Sequence, residues 1–94
     1  MQKISIQKLK WLKSLHLKKN RDKESCFIIE GEKIGLECIH SLPQDLLSIV
    51  CLSDHEDLIP HSLHHISYSA SKKELERISK MKSPNKIFAV IKKP

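Results

Sequence analysis

Three apolar runs rich in β-forming residues constrain this chain most: Cys26-Phe27-Ile28-Ile29, Leu46 to Leu52, and Ile87-Phe88-Ala89-Val90-Ile91. None shows the strict apolar-polar alternation of a strand with one wet face, so each asks for cover on both sides. That cover is written between them. In Glu32 to Leu42 the residues Ile34, Gly35, Cys38, Ile39 and Leu42 form a single helical stripe, closed by Pro43. Glycine within a helix costs about 1 kcal/mol relative to alanine, so Gly35 is expected to serve a close approach of that helix to the sheet. From Gln7 to Leu17, Leu9, Trp11, Leu12 and Leu15 share one side of a second helix, with Lys3, Lys10 and Lys13 on the other.

The remaining segments complete an alternating order. His65 to Tyr68 reads as a weaker strand, after a polar stretch from Ser53 to His64 that Pro60 keeps from being one long element. Ser71 and Glu74 have the spacing of a capping box, and Leu75, Ile78 and Met81 follow as a buried helical face, with Glu76 and Lys80 able to pair across one turn. A Ser83-Pro84-Asn85 turn then leads into the last strand. The pattern predicts an α/β sandwich around a mostly parallel, four-stranded sheet. At 94 residues it is one domain with one core.

Charge divides the chain into three zones. Residues 1–23 hold eight cations and one acid, residues 24–71 one cation and eight acids, and residues 72–94 eight cations and two acids. A basic head and tail around an acidic middle suggest a cationic surface for a polyanion. Cys26, Cys38 and Cys51 are odd in number, lie in apolar stretches and form no C-x-x-C pair, so reduced, buried thiols are expected. No run approaches the roughly 20 apolar residues of a membrane span, and the lysine-studded N-terminus has no signal-peptide core. The expected location is the cytoplasm.

Four segments occur here in one order: Lys13-Ser14-Leu15, Lys18-Lys19-Asn20-Arg21, Phe27-Ile28-Ile29-Glu30-Gly31-Glu32-Lys33 and Ser83-Pro84-Asn85-Lys86-Ile87-Phe88-Ala89-Val90. Together they resemble the N-terminal substrate-binding domain of the SpoU/TrmH family of RNA ribose 2′-O-methyltransferases. The resemblance implies a three-layer α/β/α sandwich like that of ribosomal proteins that bind kink-turn RNA. It also implies that catalysis belongs to a separate knotted domain, expected after Pro94, which binds S-adenosylmethionine and dimerises. By that reading residues 1–94 are an RNA-recognition domain, not an enzyme, with ribosomal RNA ahead of transfer RNA as target and no cofactor or metal of its own. Competing readings are a free-standing kink-turn-type ribosomal accessory protein and a protein-interaction domain.

The candidate RNA contacts are Lys18, Lys19, Arg21 and Lys23, four cations in a six-residue segment without an apolar side chain, with Lys10 and Lys13 on the preceding helix. Lys72, Lys73 and Lys82 read more simply as a solvated face. Glu30, between strand and helix, suits the helix dipole without any catalytic role. His61, His64 and His65 form no converging ligand set, since adjacent strand residues point to opposite faces. Phe27 and Phe88 are expected in the core and Trp11 against it. With Tyr68 they are too scattered in sequence for a base-stacking platform.

Overall fold

The computed structural model describes residues 1–79 and 86–93. In chain order the elements are β1 (Gln2–Lys3), α1 (Ile6–Ser14), α2 (Lys18–Glu24), β2 (Cys26–Glu30), α3 (Glu32–Ser41), β3 (Leu46–Leu52), β4 (Ser67–Ala70), α4 (Lys72–Ile78) and β5 (Ile87–Lys92). Short 3₁₀ segments cover Pro43–Asp45, Ser53–Leu58 and His61–Ile66, so the polar stretch before β4 is helical in pieces, broken at Pro60. Met81, Lys82, the Glu76–Lys80 pair and the Ser83-Pro84-Asn85 turn fall outside the described residues. No helix among the described residues is long and apolar enough to cross a membrane.

These residues build a mixed α/β fold around a five-stranded sheet, ordered β1-β4-β3-β5-β2. β1 and β3 run parallel to β4, whereas β5 is antiparallel to both β3 and β2. The expectation of a mostly parallel, four-stranded sheet is therefore corrected on both counts. An apolar run reports that both strand faces are covered, and an antiparallel strand between two covered faces shows the same run. β1 has no signature in the sequence because its two residues, Gln2 and Lys3, are polar; it is held by its parallel register with Tyr68 and Ser69.

The sheet divides the core into two clusters. Cys26, Val50, Ala70, Phe88 and Val90 pack with Leu9, Leu12 and Leu15 from the first helix and its C-terminal turn, and with Leu75 and Ile78 of α4. Ile49, Cys51, Ile87, Ala89 and Ile91 pack instead with Cys38 and Ile39 of α3 and with Ile59 and Leu63 near β4. Gly35 is buried as expected: a Cβ there would lie 2.9 Å from Ile87 Cγ2. The ends of its stripe are not buried, Ile34 and Leu42 being 49% and 44% exposed. Phe27 also departs from expectation at 43% exposed, because β2 is an edge strand. Phe88, in the strand between β3 and β2, is fully buried.

The three cysteines are buried and unpaired. Gly31, at φ 147°, makes the turn from β2 into α3, and its amide donates to the Ile87 carbonyl. The capping box at α4 is formed from both sides, Ser71 accepting from the Glu74 amide and Glu74 accepting from the Ser71 amide.

Candidate nucleic-acid interface

The basic head begins with α1, capped by the Ser5 hydroxyl, which accepts the Lys8 amide. Burial of Leu9, Leu12 and Leu15 fixes its rotation, leaving Lys10 and Lys13 exposed on the far side. Ile6, Leu9, Lys10, Lys13 and Arg77 line one shallow hollow, which brings α4's arginine beside the two lysines. Nothing in the sequence points to Arg77, which lies 64 positions from Lys13 in a segment that reads as solvated surface.

α1 stops at Ser14, three residues before the predicted end, in a tight turn in which the amides of Leu15, His16 and Leu17 bond the carbonyls of Leu12, Lys13 and Ser14. Asn20 Nδ2 donates to the Ser14 carbonyl at 2.9 Å, and Arg21 Nη1 donates to the carbonyls of Leu15 at 2.8 Å and His16 at 2.9 Å. The Ser14 carbonyl also accepts the Leu17 amide, and the Leu15 and His16 carbonyls lie just past the helix end, so α2 side chains clamp the corner. His16 Nε2 in turn bonds the Ile78 carbonyl at the end of α4, tying the corner to the neighbouring helix.

The apolar-free segment after this corner is not a loop but helix α2, with no buried residue. Polar contacts hold it: Lys18 lies 3.8 Å from Asp22 one turn on, Lys93 bonds Asp22 from the end of β5, and Ser25 closes the helix in a left-handed conformation at φ 53°. The hydrogen bond from Lys93 holds the Asp22 carboxyl below its usual range. Lys18, Lys19 and Lys23 are exposed on α2, the Lys18 side chain to 82%. Arg21 is half-buried, with Nη1 committed to the Leu15 and His16 carbonyls at the corner. It sets the angle between the helices, a role that a reading of charge alone could not separate from phosphate contact.

Tertiary structure also joins residues that the sequence keeps apart. The Lys8 ammonium lies over both Trp11 and Tyr68, 4.2 Å and 5.2 Å from the ring centroids. Trp11 and Tyr68, two of the four aromatics expected to be too few and too scattered for a base-stacking platform, thus meet at one ammonium. Glu30 accepts a hydrogen bond from Ser79 at 2.6 Å. His64 bonds the Ile59 carbonyl at 3.0 Å and its ring lies 4.6 Å from that of His61. Among the described residues no cluster of three or more histidine, cysteine or acidic side chains is placed to hold a metal ion.

This α/β fold, with a cationic helix standing outside both core clusters, defines a small domain that presents charge on its surface. The chain belongs to the MRM3-like substrate binding domain family, whose model matches residues 7–89. The fold is shared with solved proteins of the SpoU/TrmH methyltransferase group. A TrmH-family protein from Porphyromonas gingivalis is 24% identical at a TM-score of 0.78, over 97% of this chain and 36% of that one. An AdoMet-bound rRNA methyltransferase from Sinorhizobium meliloti is 15% identical at 0.78, over 100% and 36%. The SpoU methyltransferase AviRb from Streptomyces viridochromogenes, in complex with AdoMet, is 16% identical at 0.61, over 97% and 36%. The chain thus spans little more than a third of these proteins. No curated protein matches it by sequence.

Proposed function

We propose that residues 1–94 recognise the RNA substrate of an S-adenosylmethionine-dependent RNA ribose 2′-O-methyltransferase, ribosomal RNA being the first candidate and transfer RNA the second. The observation that carries this reading is the family match over residues 7–89, joined to a helix, α2, that buries nothing and presents Lys18, Lys19 and Lys23. Lysines on such a helix neutralise backbone phosphates while the core stays undisturbed, and Lys10, Lys13 and Arg77 extend the cationic surface. Arg21 contributes by holding α2 at its angle to α1 and adds its positive charge to the same surface.

Chemistry is assigned to a further, knotted domain of the full protein, which also supplies dimerisation, in the cytoplasm. The present residues do not fit the methyl donor. Both glycines of the chain are engaged, Gly31 in the turn into α3 with its amide on Ile87, and Gly35 against the Ile87 side chain, which leaves no glycine-rich loop to cradle a nucleoside.

The test is retention of a structured ribosomal RNA fragment and a transfer RNA on filters across a salt series. The reading expects saturable binding whose log affinity falls linearly with log salt, with the ribosomal fragment bound more tightly. Salt-insensitive retention, or none, would transfer the lead to a protein-interaction domain.

A further inference from the structure

Lys8 is an unusual cation for this surface. It is half-buried, burial pulls its pKa down, and its ammonium faces two aromatic rings rather than a carboxylate. Trp11 comes from α1 and Tyr68 from β4; with Gln2, Lys3, Ser5 and Gln7 they enclose an open hollow of about 490 Å³ at the β1 edge of the sheet. An ammonium in that position exchanges part of its hydration for ring faces. It covers two π surfaces with a side chain long enough to swing away.

We propose that this hollow binds one unpaired RNA base, stacked on Trp11 and Tyr68, with the Lys8 ammonium displaced onto a flanking phosphate. The proposal rests on the RNA-binding reading above and adds to it a nucleotide subsite separate from the α2 lysines.

The Trp11 and Tyr68 ring centroids lie 4.2 Å and 5.2 Å from Lys8 Nζ, so moving the ammonium away frees the space against both rings, and a base ring stacks offset at about 4.5 Å or more from an aromatic centroid. The amides of Gln2 and Gln7 each offer a donor and an acceptor to a base edge, and Lys3 is a second cation in the lining. Gln7 and Trp11 are one helical turn apart and Lys10 follows Gln7 at i+3, so cationic surface continues outward from the hollow along α1. A base paired within an A-form duplex exposes no π face to such a site, whereas an unpaired one does. The hollow therefore selects single-stranded nucleotides, while the lysines of α2 accept phosphates of either form.

Trp11 is the single tryptophan of the chain, so its fluorescence reports directly on stacking. The chain is titrated with a short oligoadenylate single strand and with a blunt RNA duplex of the same length. The single strand should quench Trp11 saturably; the duplex should bind with salt dependence and leave the emission unchanged. Tyr68→Leu keeps apolar volume but removes the flat face, and should weaken single-strand binding roughly 5- to 100-fold with duplex affinity unaltered. Gln7→Ala, at an exposed side chain that does not bear on folding, should weaken single-strand binding a few-fold and leave the duplex alone. If the duplex binds but the single strand leaves Trp11 unquenched, the subsite is overturned and the general RNA reading stands. Equal quenching by both ligands overturns the subsite as well. If neither ligand binds, both readings fall together.

Discussion

Gly35 concentrates the packing problem of this fold into one atom. Alanine is the better helix former by about 1 kcal/mol, yet its Cβ would meet Ile87 Cγ2 at 2.9 Å, on a buried, β-branched side chain with little freedom to retreat. Gly35→Ala should therefore lose more than it gains and lower the melting temperature by a few degrees. Gly35→Leu should cost roughly 1 to 3 kcal/mol, read in a urea melt at unchanged m-value. A variant as stable as the parent would place Gly35 at the surface. The thiols make a second prediction at this scale. Burial pushes Cys51 up to about 11 and raises Cys26 and Cys38 as well. An unfolded thiol titrates near pH 8.5, so above that pH the unfolded chain ionises first and stability declines as pH rises. At about pH 8, just below that value, iodoacetamide should leave the native chain unmodified and label all three cysteines once urea is added; labelling of native Cys51 would contradict its burial.

The corner between α1 and α2 separates a cation that holds structure, Arg21, from lysines exposed to solvent. Arg21→Ala withdraws the donor from two carbonyls of the corner after α1 and should cost about 1 to 2 kcal/mol, seen as lost helicity and a lower melting temperature. The combined Lys18→Ala, Lys19→Ala and Lys23→Ala change removes exposed charge and, of the contacts that hold α2, only the solvent-screened Lys18–Asp22 pair, which contributes little to stability. It should leave the melt in place and flatten the salt dependence of RNA affinity by about two units of slope, at roughly 0.7 to 0.9 per phosphate contact. Equal effects of the arginine and the lysine changes on melting would dissolve the distinction. Asp22 adds a pH dependence to the same helix. Its carboxyl is held low by Lys93, so its contribution is present above the ordinary carboxylate range near pH 4 and is lost as pH falls through the lower folded value. Helicity of α2 should therefore fade in acid, and Lys93→Ala should move that fading toward neutral pH. The contact is exposed and its effect should shrink in salt.

At the scale of the whole molecule, β1 contributes more than its length suggests. Ile4 is 5% exposed and its amide donates to the Ser69 carbonyl at 2.8 Å, while Gln2 and Lys3 close the edge of β4 and line the aromatic hollow. Removing residues 1–4 should cost about 2 to 3 kcal/mol, most of it from Ile4, and lower the melting temperature by roughly 10 to 20 °C. A smaller loss would mean that β1 is decoration. Much of this architecture was legible in the residues alone. The apolar runs that became β2, β3 and β5, the Gly35 stripe and the Ser71-Glu74 capping box each announce a local preference, because burial period and cap chemistry are properties of neighbours in sequence. The lysines of α2 were legible as surface for the same reason. Strand direction was not, since a run covered on both faces looks alike whether its partners run with it or against it. Nor could sequence place Phe27 on an edge, find β1 in two polar residues, give Arg21 to the end of α1, or bring Tyr68 to Trp11. Those outcomes depend on which segments become neighbours in space, and only the assembled sheet decides that.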